Sequence, residues 1–370
     1  MKFTCNKETI LKEIAVAYEI ASSRNLTSFL SSVYLQTLGN ILIIKATDTN
    51  FSYETSLEVN VLSEGVVNVY CDKLLTILKS CPDEELLFES ENYDFNISLN
   101  NNRDTLFFTL KMTISESFPE ITMDENVTSF QFSQKEFLKM INHTLFSVSN
   151  DESRIYLTGV LLSKKENHLR MVSTDMKQMS VIDSPADNIP DFKDIIIPKK
   201  ALTLFKRLTV NDGEFEIIIG EKKVIFKFGN TYFYSYIINN IYPDYERIIP
   251  KEDDKSIVIN KNDLISTINR ISVMIENKTN RINLKLKNNE MSIETDDNTL
   301  GKASGKVPCI YTGNEEVTIA LNYYFLLDPL KIINTENIEI RFSHPEKAIS
   351  IYSVPQEKFI HIVMPMTLST

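Results

Sequence analysis

The sequence has few of the residues that form disulfide frameworks, metal sites and phosphate-binding loops. Four cysteines and four histidines are scattered over 370 residues, and none of them shows the paired spacing of a zinc or disulfide site. Nine glycines form no phosphate-binding loop. Asp48, Asp175, Asp296 and Asp297 have no companion His or Glu at the spacing of metal ligands. These absences argue against an enzyme and predict a chain without a cofactor or a metal ion.

Long apolar runs and an excess of basic residues are missing as well. Polar residues follow Met1 before any apolar run builds up, so we expect no secretory signal or transmembrane segment, and a protein that stays in the cytoplasm. The net charge of −11 argues against nucleic-acid binding, because phosphate contacts normally need a basic surface. With 43% hydrophobic and 24% charged residues, the composition is that of a globular protein, and the length suggests two or three domains.

A threefold internal repeat is the most informative feature of the sequence. Segments 2–14, 130–141 and 257–268 each read as a short alternating strand, a polar cap residue and an amphipathic helix, with Phe3, Phe132 and Ile259 in equivalent places. A second set of strand-then-helix units follows half a period later at 69–79, 197–206 and 320–331. Pro329 falls inside the last of these helices, and we expect it to kink or shorten that helix.

Alternating β-branched and aromatic runs between the helices predict antiparallel strands at 40–45, 106–110, 214–219, 223–228, 281–286 and 338–342. Equivalent linkers contain Pro119 and Pro243. We therefore predict an α+β fold with three similar domains in tandem, at 1–125, 126–251 and 252–370, each with two helices packed on antiparallel sheets. Periodicity alone is equally compatible with a protein-interaction scaffold that does not bind DNA.

Several short strings, in their order along the chain, resemble the beta subunit of bacterial DNA polymerase III. They are Met-Lys-Phe-Thr at 1–4, Arg-Ile-Tyr-Leu-Thr-Gly-Val at 154–160, Ser-Thr-Asp at 173–175, Tyr-Pro-Asp-Tyr at 242–245 and Ile-Val-Met-Pro-Met at 362–366. The resemblance implies a non-catalytic sliding clamp, in which each chain is half of a closed ring and two chains join head to tail as a homodimer around duplex DNA. It also implies that the ring tethers the replicative polymerase, the clamp loader and repair proteins.

This resemblance also answers the objection from charge. A ring that is acidic overall can have a basic inner wall, because screening limits each charge to a range of about 8 Å at physiological salt. Matching positions imply a DNA-facing set of five residues, although Tyr156 reads equally well as a core strand residue. The set consists of Arg24, Arg154, Tyr156, Lys199 and Lys200.

Family members bind short peptide motifs of their partners in an apolar cleft between the second and third domains. The matching residues here are Leu157, Thr174, Met176, Met179, Pro243, Arg247, Ile248, Ile362, Met364, Pro365 and Met366. Strand burial alone would explain Leu157 and Ile362. The family usually has Thr-Asp-Gly-His-Arg-Leu where this chain has Thr-Asp-Met-Lys-Gln-Met at 174–179, so Met176 replaces the glycine. The family also usually has a basic residue at the position of Thr367. We expect Met176 to fill part of the cleft floor and to alter the peptide preference.

The resemblance also assigns the residues that would close the ring. Phe108 and Leu110 on the first domain, and Val273 and Met274 on the third, match the apolar interface, and Lys73 matches a charged position. The facing segment 296–302, usually rich in glutamate, has only two acidic residues here. We therefore expect a dimer held mainly by apolar contact and sheet pairing.

Overall fold

The computed structural model describes residues 1–21, 29–100, 105–113, 118, 125–209, 212–250, 254–275, 280–297 and 301–367. The chain divides into two compact units. The first contains Met1–Lys135, Ile189–Phe192 and Lys200–Ile237, and the second contains Glu136–Asn188, Lys193–Lys199 and Ile238–Thr370.

Six α-helices occur in the described residues, and each follows a strand in one of the six predicted strand-then-helix units. Asparagine side chains cap three of them: Asn6 accepts from the Glu8 amide, Asn260 from the two amides that follow Lys261, and Asn322 from the Tyr324 amide. The helices are α1 (Lys7–Ile20), α2 (Cys71–Ser80), α3 (Gln134–Thr144), α4 (Lys199–Leu208), α5 (Lys261–Ile271) and α6 (Tyr323–Ile332).

The described residues also form 25 strands, and all six runs that were predicted as strands are among them. In chain order they are β1 (Lys2–Asn6), β2 (Ser32–Leu38), β3 (Ile41–Thr47), β4 (Phe51–Glu58), β5 (Asn60–Ser63), β6 (Gly65–Tyr70), β7 (Glu85–Glu91), β8 (Asp94–Asn100), β9 (Thr105–Lys111), β10 (Thr128–Ser133), β11 (Gly159–Lys165), β12 (His168–Thr174), β13 (Gln178–Pro185), β14 (Ile195–Pro198), β15 (Glu214–Ile219), β16 (Lys223–Phe228), β17 (Thr231–Tyr236), β18 (Lys255–Asn260), β19 (Arg281–Lys287), β20 (Glu290–Glu294), β21 (Ser304–Tyr311), β22 (Val317–Asn322), β23 (Asn337–Phe342), β24 (Ile349–Val354) and β25 (Phe359–Val363).

The first unit contains two antiparallel sheets. One has five strands in the order β5-β1-β7-β8-β9, and the other has eight in the order β10-β15-β16-β17-β4-β3-β2-β6. Helix α1 packs on α2 and on β3 and β4, and it buries Ile10, Ile14 and Ala17. Within the five-stranded sheet the rings of Phe3 and Phe88 stack with centroids 4.7 Å apart. Helices therefore cover apolar sheet faces, as the alternating strand pattern requires.

The second unit contains one sheet of twelve strands in the order β14-β11-β12-β13-β25-β24-β23-β18-β21-β20-β19-β22. The pairing of β13 with β25 makes the sheet continuous, with Met179 opposite Ile362 and Ser180 opposite His361. Helices α5 and α6 pack on one another and bury Leu264, Ile268 and Leu326 among their side chains.

Pro329 was expected to kink or shorten its helix, and it does not shorten it. Helix α6 runs through Pro329 from Tyr323 to Ile332 and is 10 residues long, as are α2 and α4. A second difference concerns Tyr156 and Leu157, which were considered as strand residues. Both lie in the 3-10 helix Glu152–Leu157 that precedes β11.

Candidate functional site

The turn between β12 and β13 carries Met176, and the predicted cleft residues Thr174 and Met179 lie on the two strands beside it. The Thr174 hydroxyl donates to the Gln178 carbonyl over 2.7 Å and accepts from the Met176 amide at 3.0 Å. Asp175 Oδ1 accepts from the Lys177 and Gln178 amides, which closes the turn. Met176 sits at the tip with a φ of +74°, in the left-handed region that favours glycine. This turn is therefore held by side-chain hydrogen bonds, with one residue in an unfavourable conformation.

The segment 364–366, here called the Met-Pro-Met segment, runs beside this turn. The Met364 amide donates to the Lys177 carbonyl over 2.8 Å, and the Met366 amide donates to the Ala320 carbonyl over 2.8 Å. Because β25 leads directly into the segment, the pairing of Met179 with Ile362 fixes its starting point. Main-chain bonds thus hold the segment between the β12–β13 turn and the end of β22.

The 3-10 helix Tyr245–Arg247, here called the wall turn, is the third part of the site, beside the β12–β13 turn and the Met-Pro-Met segment. Tyr245 is buried in an apolar cluster that contains Met179 and Ile362, and Tyr242 and Ile249 pack against the same cluster. Burial raises the pKa of both tyrosines. The wall turn therefore carries Arg247 and Ile248 while its buried side chain rests on the floor that β13 and β25 provide.

Charged groups of β11 and β12 fasten the wall turn to the sheet. Arg170 forms a two-pronged pair with Asp183, with Nε to Oδ1 at 2.6 Å and Nη2 to Oδ2 at 2.7 Å. Glu246 accepts from Lys165 Nζ at 3.0 Å and lies 3.7 Å from Arg170 Nη1. The hydrogen bond from Lys165 lowers the pKa of Glu246 below its ordinary value. Arg170 and Lys165 consequently hold the carboxylate that precedes Arg247.

The predicted cleft residues divide into a buried group and an accessible group. Leu157, Thr174, Met179 and Ile362 are buried. Met176 is 50% exposed and Met364 42% exposed, and the accessible group also contains Pro243, Arg247, Ile248, Pro365 and Met366. The contacts among the turn, the Met-Pro-Met segment and the wall turn bring these residues, apart from Leu157, to one region of the second unit. The filling of the cleft floor by Met176 stays a prediction, with half of that side chain accessible at the tip of the turn.

Three predicted DNA-facing residues gather around one loop of the second unit. Arg154 is exposed beside Asp151, and Tyr156 is half-buried against the apolar cluster. Lys199 donates through its main chain to the Thr158 carbonyl and through Nζ to Asn150 at 3.1 Å. In the first unit, Lys200 Nζ lies 2.7 Å from Asp48 and 4.7 Å above the Phe51 ring. Arg24 lies outside the described residues.

The predicted interface residues lie at exposed or half-exposed positions. Phe108 and Leu110 are half-buried on β9, the edge strand of the five-stranded sheet, and Lys73 is exposed on α2. Val273 and Met274 follow α5, with Val273 82% exposed. An exposed valine beside a methionine is suited to contact with another chain.

The structure adds residues that sequence reasoning missed. Tyr242 and Tyr245 flank Pro243 in a string that was already singled out, so their place in the motif was a usable signal. Arg170 and Asp183 meet only because β12 and β13 pair in this register. Tyr323 and Tyr324 stack at the start of α6 with ring centroids 4.2 Å apart, three residues beyond the carbonyl that binds Met366.

The described residues contain neither a metal-binding cluster nor a helix that could span a membrane. Among the described residues, no group of three or more His, Cys, Asp and Glu side chains is placed to hold a metal ion. None of the helices in the described part of the chain combines the length and apolar composition needed to span a bilayer.

Comparison with known sequences identifies the family. The sequence profiles of the DNA polymerase III beta subunit match residues 1–122 for the N-terminal domain, 131–244 for the central domain and 246–367 for the C-terminal domain. The chain belongs to the DNA polymerase III beta subunit family. Three tandem clamp domains are thereby confirmed.

Relatives of known name or structure cover the whole chain. The beta sliding clamp of Treponema pallidum (strain Nichols) is 34% identical over 371 residues, which is 99% of each chain. The beta sliding clamp of Pseudomonas aeruginosa is 28% identical over 373 residues, all of each chain. A crystal structure of the DnaN sliding clamp from Pseudomonas aeruginosa bound to griselimycin matches with a TM-score of 0.93, 26% identity and full coverage of both chains.

Family membership settles the class of function. The chain is a sliding clamp, a non-catalytic subunit that confers processivity on DNA polymerase III. DNA, the polymerase and a second copy of the chain are its partners in this role. A scaffold that never binds DNA is not favoured, and the predicted clamp function is confirmed.

Proposed function

We propose that two copies of the chain join head to tail into a closed ring around duplex DNA, without sequence preference, and that the ring tethers partners through the cleft of the second unit. The observation that carries the ring is a strand pairing that occurs twice within the chain. In the first unit β17 pairs antiparallel with β4, and in the second unit β25 pairs antiparallel with β13. Each pairing joins the last strand of one repeat to an edge strand of the preceding repeat.

The third repeat of this pairing supports closure between two chains. The counterpart of β17 and β25 is β9, and the counterpart of β4 and β13 is the first half of β21. Within the described residues, β9 pairs along its length only with β8, and residues 304–308 of β21 pair only with β20. Two open edges of matching type invite pairing with a second copy, because an unpaired edge presents free main-chain donors and acceptors. We assign Phe108, Leu110, Val273, Met274 and Lys73 to this contact.

Solution mass tests closure of the ring. The native chain is expected to have the mass of two copies, and Phe108→Asp is expected to reduce it to one copy by placing a carboxylate in the apolar contact. Tyr93→Asp is the matched control, since Tyr93 is an aromatic residue that is 76% exposed in the same unit. A native chain that stays monomeric at high concentration would overturn the ring.

Enclosure explains how weak contacts keep the clamp on DNA. Arg154, Tyr156, Lys199, Lys200 and Arg24 are proposed to face the duplex, where sequence-independent phosphate contacts break and re-form as the ring slides. After loading, the ring is expected to remain on circular DNA and to leave linear DNA. Equal retention on both would instead indicate binding without enclosure.

The cleft is proposed to take short peptide motifs of the polymerase, the clamp loader and repair proteins. Its buried floor and its accessible methionines provide an apolar surface that adapts to several ligands. The Pseudomonas aeruginosa relative binds griselimycin. We propose that this compound binds the cleft of the present chain, and we use it as the probe. Calorimetry should show binding to the native chain and a loss of at least about tenfold, or about 1.4 kcal/mol, for Met364→Asp. Exposed Leu62→Asp in the first unit is the control.

Domain boundaries at 1–125, 126–251 and 252–370 and a cytoplasmic location complete the proposal. The matched profiles support these boundaries because their junctions fall near 125 and 251. Replication takes place where the chromosome lies, which in bacteria is the cytoplasm.

A further inference from the structure

Helix α6 contains a proline whose effect on the helix must be compensated. In an α-helix the amide of residue i donates to the carbonyl of residue i−4, and proline has no amide hydrogen. Pro329 therefore leaves the Phe325 carbonyl without its helical donor. The helix nevertheless continues to Ile332.

His361 provides the missing donor. Its Nε2 lies 3.1 Å from the Phe325 carbonyl oxygen, and its Nδ1 lies 2.9 Å from Ser180 Oγ. Ser180 Oγ in turn lies 2.8 Å from Ser147 Oγ, and all three side chains are fully buried. A buried chain of this kind is stable only if each member has a partner.

The partners fix the direction of every hydrogen bond in this chain. A carbonyl can only accept, so Nε2 carries the imidazole proton and donates it to Phe325. In the neutral ring Nδ1 must then accept, which requires the Ser180 hydroxyl to donate to it. Ser180 has one hydrogen, so it accepts from Ser147. Burial favours this neutral form by lowering the pKa of His361 to about 3.

The same histidine belongs to the strand that leads into the Met-Pro-Met segment. His361 lies on β25 three residues before Met364, and the segment then bonds to Ala320 at the end of β22. Helix α6 starts directly after β22 with the stacked pair Tyr323 and Tyr324, and Tyr324 is 44% exposed. His361 thus connects the first turn of α6 to β25, and the Met366 amide connects β22, which leads into that turn, to the Met-Pro-Met segment.

We propose that His361 is a positioning residue for the peptide cleft: by donating to the carbonyl that Pro329 leaves open, it fixes the first turn of α6, with Tyr323 and Tyr324, against the Met-Pro-Met segment. His361 acts from behind the surface and touches no ligand. The inference rests on the proposed cleft function, and it identifies the tyrosine pair as the part of the cleft whose position depends on this bond.

Two substitutions separate the two hydrogen bonds of the ring. In His361→Gln the side-chain amide reaches about as far as Nε2 and can still donate to Phe325, whereas in His361→Asn it reaches only as far as Nδ1. Griselimycin binding by calorimetry is expected to stay within about threefold of native for His361→Gln and to weaken at least about tenfold for His361→Asn. Sedimentation should give the same mass for both variants as for the native chain.

Pro329→Ala separates positioning from helix stability. Alanine restores the amide hydrogen at 329, so α6 completes its own bonds and His361→Asn/Pro329→Ala no longer leaves Phe325 open. The thermal midpoint of unfolding is expected to fall in His361→Asn and to return to the native value in the double variant. The griselimycin affinity of the double variant is expected to stay at least about tenfold weaker than that of the native chain. Pro329→Ala alone should bind as the native chain does, because a carbonyl can accept two hydrogen bonds.

Each result has a defined meaning. Native-like affinity of His361→Asn, or recovery of affinity in the double variant, would overturn the positioning role and leave only a contribution to the helix. Failure of the native chain to bind griselimycin, or native-like binding by Met364→Asp, would instead remove the proposed cleft function. If His361→Asn does not fold, the double variant, whose helix is complete, decides between these outcomes.

Discussion

Single residues at the β12–β13 turn show how a local conformation constrains the site. Met176 occupies the left-handed region, which costs a side chain other than glycine about 1–2 kcal/mol. The bonds that Thr174 and Asp175 form with the turn hold it there. Where the family usually has glycine, this chain therefore combines a strained backbone with an accessible apolar side chain.

Met176→Gly is expected to raise the free energy of unfolding by about 1 kcal/mol, because glycine adopts the positive φ without strain. Lys177→Gly is the control, since Lys177 has no positive φ and should lose about 0.5–1 kcal/mol through backbone entropy. Chemical denaturation measures both. Equal destabilisation by the two substitutions would mean that the turn stores no strain at Met176.

The pH dependence of stability should reflect His361. The pKa of His361 falls from 6.5 in the unfolded chain to about 3 in the folded chain. Its contribution to the free energy of unfolding is therefore complete above pH 6.5 and is lost as the pH falls towards 3. Between pH 7 and pH 5 the native chain should lose about 2 kcal/mol from this group. His361→Gln removes the titration and should show a smaller loss in denaturant titrations at the two pH values. Equal losses of stability in the native chain and in His361→Gln would contradict a neutral buried imidazole.

At the scale of elements, the wall turn depends on charged groups of the neighbouring strands. Arg170 is held by Asp183 on β13 and approaches Glu246 in the wall turn. Both partners of the Arg170 and Asp183 pair are largely buried, with side-chain exposures of 21% and 19%. Loss of one partner leaves a charge with poor solvation in the fold.

Asp183→Asn is expected to lower the free energy of unfolding by about 2 kcal/mol, since the amide cannot neutralise Arg170 or accept both of its hydrogen bonds. Lys287→Gln breaks the exposed pair with Glu316 and serves as the control, with no change expected. Griselimycin affinity should also fall for Asp183→Asn, because the wall turn loses its support. An unchanged melting curve would show that the pair contributes no net stability.

Elements were the level at which the sequence was most informative. Period-two and helical patterns located all six helices and the six selected strands, because one face of each is apolar along its length. The expectation for Pro329 considered only its effect within the helix. The sequence pattern could not show that His361, on a distant strand, donates to the carbonyl that Pro329 leaves open. Tyr156 and Leu157 were considered as strand residues because their apolar character does not distinguish a strand from a short 3-10 helix. The site residues came from family resemblance, whereas Arg170 and His361 required the sheet register.

At the scale of the whole molecule, the interface and the DNA contacts should respond differently to salt. Phe108, Leu110 and Val273 are apolar, so the predicted contact between chains depends little on the ion pairs that salt screens. The proposed sheet pairing through β9 and residues 304–308 would add main-chain bonds that salt does not weaken. The predicted DNA-facing lysines and arginines, in contrast, are proposed to contact phosphates.

Sedimentation from about 0.1 M to about 1 M salt is expected to show the mass of two chains throughout. Over the same range, binding of open linear DNA should weaken strongly, because each phosphate contact releases a counterion. Phe108→Asp, which is expected to be monomeric, provides the reference mass. Dissociation that increases steeply with salt would show that ion pairs hold the interface.

Both strand pairings that join successive repeats consist of amide-to-carbonyl bonds, and such bonds do not depend on which side chains the strands carry. Substitutions can therefore accumulate along these junctions provided that each residue still fits a pleated strand. A relative with 26% identical residues has the same fold, with a TM-score of 0.93. Substitutions in such a protein can change which partners it binds without changing the strand pairing that joins its repeats.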